Sequence, residues 1–442
     1  MDETLKGMGL RSLLKNSTVT LGRQVLAGLL HLATVIVIAR AFGPAVNGAF
    51  FVALLLPSML ATFLNLGVGP ANVYYLGSGQ YQARAVFSTC LVLTLWLSAL
   101  GLSLGALVIL FRGEEFFPGV PIPMLWLALL GFPISLAQGF VASIFQGLQQ
   151  FRGYNLSLLA QPLITFCLIL GLVIAGVKDF SFLIVAYVVG AASCLVITLV
   201  ILRRHLAPDE SSERYKLGTA LSYGYKAHLS NILAFVNYRA DIFLVNLLIN
   251  PAAAGIYVIA IKISENLWLL SRAVSSVALP RLSQLSGDEA TRRRLTPLLS
   301  RMVLWVTTLG AVVLALIAFP LIRILFGEQF AAGAWPLIVL LPGVIALSAS
   351  RVLSNDIAAR GKPEINMYMS IITVTVNILG NVLLIPIYGL IGAAFATTVA
   401  YVLNLCTKLF VYWHLTAISP WDVLLLKRQD IAGLKRAVRE PV

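Results

Sequence analysis

Stretches of about twenty mostly apolar residues recur along the whole of this 442-residue chain, each long enough to cross a hydrocarbon layer as a helix. Such stretches leave few folds open, because in lipid every backbone N–H and C=O must find its partner inside the protein. Long apolar runs without alternation meet that demand as helices, not as strands. Twelve segments are counted, roughly 17–40, 47–70, 84–111, 121–147, 154–176, 181–202, 218–249, 254–280, 297–322, 331–355, 364–386 and 389–415. The fold class that follows is an all-α integral membrane protein with about twelve transmembrane helices. Only 11% of residues are charged, against roughly 25% in ordinary domains, and the mean hydropathy is +0.91. No connection is long enough to hold a separate catalytic domain.

The net charge of +14 would suggest nucleic acid in a soluble chain, but membrane topology accounts for most of it. With both ends in the cytoplasm, only Arg40, Arg112, Lys178 and Arg323 among the extramembrane basic residues fall outside. The positive-inside rule therefore gives an N-in, C-in orientation, and no nucleic-acid partner is expected. Met1 to Asn16 is polar and basic and the first apolar segment contains Arg23, so a cleavable signal is not expected.

The chain repeats itself. Gly43–Phe50 (GPAVNGAF) answers Asn250–Tyr257 (NPAAAGIY), Leu110–Phe116 answers Leu325–Phe330, and the Gly-containing turn before Asn155 answers the one before Asn366, all at nearly constant offset. The division expected is a basic N-terminal segment, 1–16; a first six-helix lobe, 17–202; a cytoplasmic linker, 203–217; a second six-helix lobe, 218–415; and a basic amphipathic tail, 416–442. Two halves of like orientation should be related by an axis along the membrane normal and enclose a central cavity. Residues 1–16 fit either a helix on the membrane surface or a disordered basic tail. In 416–442, Ser419 can cap a helix that Pro420 starts, either lying on anionic lipid or remaining a solvated tail.

Charges inside the spans carry the functional reading, since an ionisable residue in lipid is costly and normally faces a cavity or a partner. The first helix places Thr20, Arg23, Gln24, His31 and Thr34 on one polar face. In the seventh, Lys226, Ser230, Asn237 and Asp241 share a face, while His228 and Arg239 share nearly the opposite one. The eighth carries Lys262, Glu265 and Arg272 on one side, the first two spaced to pair. The cations outnumber Asp241 and Glu265, so a water-filled cationic cavity suited to a phosphate-bearing ligand is expected. Asn366, Ser370, Thr373, Asn377 and Asn381, facing Thr397, Tyr401, Asn404 and Lys408, read as interhelical hydrogen bonds or as further cavity lining. Cys90, Cys167, Cys194 and Cys406 lie singly in apolar runs without metal spacing. No metal site, nucleotide loop or nucleophile–His–acid order is present, and no enzyme activity is expected.

The Arg239-x-Asp241-x-Phe243-Leu244 run, the Ala254–Tyr257 turn, the Glu265–Trp268 run with Pro280, Ala39–Gly43, Gly67–Gly69, Gly361–Pro363 and Ile385–Ala394 together resemble the polysaccharide-exporter flippases. This is the Wzx-like branch of the MOP (multidrug/oligosaccharidyl-lipid/polysaccharide) superfamily, which also holds lipid II flippases and multidrug exporters. The resemblance implies a V-shaped, two-lobed transporter of the bacterial inner membrane. It would move undecaprenyl-diphosphate-linked oligosaccharide to the outer leaflet for O-antigen, capsule or exopolysaccharide assembly, beside a polymerase and chain-length machinery. The comparison with lipid II flippases puts Arg23 and Arg40 at the cavity. Arg23, His31, Arg40, Lys226, Arg239, Lys262 and Arg272 are thus the candidate substrate contacts, with Asp241 and Glu265 available to couple H⁺ or Na⁺ and no other cofactor. The alternative is a lipid II-type or ion-coupled multidrug exporter of the same superfamily; the first helix carries no acid, which favours an anionic substrate.

Overall fold

The computed structural model describes residues 3–206, 215–269, 271, 274–275, 282 and 288–427, with side chains from residue 22 onward apart from 226, 227 and 363. Among these residues every regular element is helical. In the first part of the chain the elements are α1 (Glu3–Ala53), α2 (Leu55–Leu64), α3 (Val68–Gly77), α4 (Ala83–Phe116), α5 (Ile122–Leu129), α6 (Gly131–Gly147), α7 (Phe151–Ile174) and α8 (Ser181–Leu202). Then follow α9 (Leu217–Leu248), α10 (Pro251–Asn266), α11 (Glu289–Phe326), α12 (Ala334–Ala359), α13 (Pro363–Thr416) and α14 (Pro420–Leu424).

Nine stretches of helix among the described residues are long and apolar enough to cross a membrane. Two of them, Gly22–Leu64 and Glu364–Thr416, each hold two of the predicted segments. The eighth predicted segment, 254–280, runs partly outside the described residues. The merging has a local cause. At Gly43 (φ 79°) and Gly389 (φ 58°) the backbone enters a region open to glycine, so α1 and α13 turn at a kink where a loop was expected. The second predicted segment is broken again at Leu66 and Gly67, both at positive φ, where the Asn65 side chain accepts from the Gly67 N–H at 2.9 Å. The turn before α10 is built as expected: Pro251 opens the helix and Asn250 Oδ1 accepts from the Ala253 N–H at 2.8 Å.

Outward faces are apolar. Leu95, Trp96, Ile174 and Leu316 are strongly exposed, an arrangement that suits acyl chains rather than water. Contacts group the chain into two compact units, Met1–Val258 and Ile259–Val442. The boundary falls inside α10 because α9 packs on α2 and α3. The lobes 17–202 and 218–415, the linker 203–217 and the terminal segments, drawn from the repeated turns and from charge, remain a proposal about duplication rather than about packing.

In the first unit α6 is central, packed against α2, α3, α4, α7 and α8, with Phe132, Ile144 and Phe145 fully buried on it. Close backbone approaches at glycine back α9 and the turn that follows it. Near the start of α9, Gly224 and Gly67 meet so closely that a Cβ on either would strike the other's carbonyl oxygen. Beyond its end, Gly48 meets Pro251, and Gly255 meets Pro44, in the same way. Small residues that let membrane helices touch are the usual means of association where lipid supplies no hydrophobic drive between helices.

In the second unit α12 packs along α13 and against α11, and α14 lies on α11 and α13. Asn404 Nδ2 donates to Thr373 Oγ1 at 2.7 Å, Asn377 Nδ2 donates to Thr397 Oγ1 at 3.2 Å, and Ser350 donates to Asn404. The polar stripe of α13 is therefore used, at these positions, to bond its two halves to each other and to α12.

Candidate functional site

The polar face expected on α1 is not uniform. Thr34 is buried and donates to the Leu30 carbonyl of its own helix, while Arg23 is half-buried and His31 and Arg40 are exposed. Thr20 lies outside the residues with described side chains. Arg23 and Arg40 are separated along α1 by about 26 Å at the rise of an α-helix. One phosphate group cannot meet both.

On α9 the two faces are resolved. Asn237 and Asp241 are buried; the Tyr257 hydroxyl donates to Asp241 Oδ2 at 3.2 Å and the Ile242 N–H to Oδ1 at 2.8 Å. The acid face thus pairs with α10. Arg239 instead borders a cavity of about 360 Å³ between α2, α4 and α9, whose other walls include Leu55, Met59, Phe63, Phe117, Phe235 and Phe243. Its Nη1 donates to the Tyr238 carbonyl at 3.1 Å. A single guanidinium on an otherwise apolar wall can meet an amphipathic anion. The side chain of Lys226, like Arg272 altogether, lies outside the described residues.

In the second unit Lys262 and Glu265 form the pair their spacing suggests, with Nζ 3.2 Å from Oε2 and both side chains largely buried. Two basic side chains further along, Arg351 and Lys408, stand outside the candidate substrate contacts, and Lys408 entered only as part of the polar stripe. Arg351 on α12 places its Cζ 4.5 Å from the centre of the Trp268 ring, a stacking arrangement that favours a cation, and its Nη1 stands 3.4 Å from Ser271 Oγ. Lys408 on α13 is only 6% exposed and donates to Ser354 Oγ at 2.6 Å; no carboxylate pairs with it among the described residues. Their positions inside apolar spans were visible in the sequence. What was missing was a partner at short spacing to draw attention to them.

A second group went unread. Arg292 Nε lies 2.7 Å from Asp356 Oδ1, and Arg360 Nε lies 2.6 Å from Asp356 Oδ2. Thr296 donates to the same carboxylate, and Glu289 accepts from Arg360. Burial works against the charge on Arg360, but Asp356 and Glu289 outweigh it and hold its guanidinium above the usual range. This network clamps the start of α11 to the end of α12. Among the described residues no three His, Cys, Asp or Glu side chains stand close enough to hold a metal ion.

The fold and the sequence both have known counterparts. The lipid II flippase MurJ, in an inward closed conformation, is similar over 96% of this chain and 93% of its own, with TM-score 0.71 and 16% identity. A multidrug resistance MATE family transporter of the MOP superfamily, inward-facing, is similar over 95% and 99%, with TM-score 0.70 and 14% identity. A probable low-salt glycan biosynthesis flippase of Haloferax volcanii is 24% identical over 190 residues, 41% of this chain and 39% of that protein. The matched stretch thus spans well under half of the relative's length. The family described as "Polysaccharide biosynthesis protein" matches residues 9–334. With the fold of a MOP superfamily transporter and most of its length within that match, the chain belongs to this polysaccharide biosynthesis family.

Proposed function

We propose that this protein is a flippase that carries polyprenyl-diphosphate-linked oligosaccharide from the cytoplasmic to the outer leaflet of a bacterial inner membrane by alternating access. The family match and the flippase named among its relatives support the class of activity. The observation that carries the choice of an anionic substrate is Lys408, an amine buried within a membrane span and held by a hydroxyl rather than a carboxylate. An ionisable residue within a membrane span marks a functional position, and a bound diphosphate would supply the counter-charge that keeps the amine protonated. In the same unit Arg351 and the Lys262–Glu265 pair are further ionisable groups within apolar helices, and in the first unit Arg239 borders an apolar cavity. Arg23, His31, Arg40, Lys226 and Arg272 stay candidates on sequence grounds.

The direction follows from charge. A lipid diphosphate carries about two negative charges, and each gains about 2.3 kcal/mol on leaving a cell held at 100 mV, inside negative. Membrane potential can therefore drive export, with Asp241 and Glu265 left for H⁺ or Na⁺ antiport. The test is depletion of the protein in its host, followed by mass spectrometry and leaflet-accessibility labelling of lipid-linked sugars. A complete repeat unit accumulating on the cytoplasmic face is the expected result and identifies the glycan. Unchanged lipid-linked sugars with heightened drug sensitivity would overturn the reading in favour of a small-molecule exporter.

A further inference from the structure

A cavity of about 620 Å³ lies between the first turns of α11 and the strap that follows α13. Arg294, Pro297, Leu298 and Arg301 line one stripe of α11, and Arg293 stands beside it; Ile418, Asp422 and Lys427 close the other side. The strap is anchored, which makes the cavity a built feature. Val423 is fully buried in a cluster with Leu353, Leu409 and Tyr412, Arg301 donates to the Asp422 carbonyl oxygen, and Trp305 Nε1 donates to the Leu424 carbonyl at 2.9 Å.

The walls carry four cations against one carboxylate. Arg293 stands 3.1 Å from Glu289 and Lys427 2.8 Å from Asp422, while Arg301 is bonded to the Asp422 carbonyl. Arg301 is 5% exposed, so its charge is fixed in the wall rather than dispersed in water. Around this basic pocket the surface turns amphipathic: Trp305, Trp413, Trp421, Leu425 and Leu426 are all exposed. Tryptophans of this kind mark the headgroup level of a bilayer. The ends of α11 and α13 that meet here are those the charge count assigns to the cytoplasm.

We infer that this pocket binds the phosphodiester headgroup of an anionic phospholipid of the inner leaflet, with the exposed Trp and Leu side chains resting at the acyl boundary. Arg294 and Lys427 close on the phosphate from opposite walls, while Arg301 holds the strap and supplies fixed charge behind it. A free phosphate ion would share the cations but would leave the apolar rim without a role.

The test uses the full chain in phosphatidylcholine nanodiscs containing a minority of phosphatidylglycerol, with retained lipid read by native mass spectrometry. The protein should keep phosphatidylglycerol in preference to phosphatidylcholine. Arg294→Ala with Lys427→Ala should lower that preference about 25-fold, and Arg294→Lys with Lys427→Arg should keep it. Both positions are exposed at the surface, so neither substitution opens the core. Equal retention of the two lipids by the protein, or an undiminished preference in the double Ala variant, would overturn the site. Inorganic phosphate binding to the delipidated protein, with no preference between lipids in the nanodisc, would overturn the lipid assignment in favour of a soluble phosphate ligand.

Discussion

The side-chain amide of Asn47 donates to the carbonyl oxygen of Gly255 at 2.9 Å, across 208 positions of chain. Each residue belongs to one copy of the repeated turn, so the two copies are bonded to each other. Beside them Gly48 and Gly255 sit where backbone meets backbone. Gly48→Ala and Gly255→Ala should each destabilise the protein by about 1–3 kcal/mol through overpacking, and Asn47→Ala by about 1–2 kcal/mol through the lost bond. Thermal unfolding followed by size-exclusion in detergent checks this; unchanged midpoints in both glycine variants would show that the helices part without cost.

Asp356 is fully buried between Arg292 and Arg360. Removing it strands a buried guanidinium, so Asp356→Ala should cost about 3–5 kcal/mol. Replacing both Asp356 and Arg292 with apolar residues of similar size should restore much of that loss. A double variant no more stable than Asp356→Ala would mean that Thr296 and Arg360, not the Arg292 pair, dominate the clamp.

Lys408→Met keeps the bulk of the side chain and removes its amine. Export of lipid-linked sugar should fall by about tenfold or more, the loss of one charge-assisted contact, while the amount of protein in the membrane stays near normal. Arg351→Met should act in the same direction. Full export in both variants would remove these cations from the transport path.

Asp288 caps α11 by accepting from the Thr291 N–H at 3.0 Å. Hydrogen bonds from the Thr291 side chain and backbone, helped by the Arg294 charge, hold the carboxyl below the usual carboxylate range. The cap therefore contributes fully above the ordinary aspartate pKa of about 3.9 and is lost as pH falls through the lowered value. The protection factor of the Thr291 amide, its exchange rate relative to the intrinsic rate at the same pH, should fall on acidification in that window. In Asp288→Ala it should be low throughout, with no such step.

Much of the candidate site was legible one element at a time. The spacing of Lys262 and Glu265 announced their ion pair, and periodicity along α9 separated the Asp241 face from the Arg239 face. Which face meets a neighbour was not legible, because Tyr257 reaches Asp241 only after the chain reverses at Asn250–Pro251. Arg292 and Asp356 are 64 positions apart, and Lys408 and Ser354 are 54 apart. No local pattern links such residues.

The sequence by itself determined that the chain is helical and membrane-embedded, since a run of apolar residues in lipid has no other way to bond its own backbone. It also determined the main turns, because Gly43, Pro251 and Gly389 restrict or free the backbone wherever they stand. Only the tertiary structure decided that Gly43 and Gly389 kink a continuous helix, that α9 packs with the first unit, and that Arg292 and Asp356 share one buried bond. Those outcomes depend on which surfaces meet, and a surface contact is a property of two segments, written in neither alone.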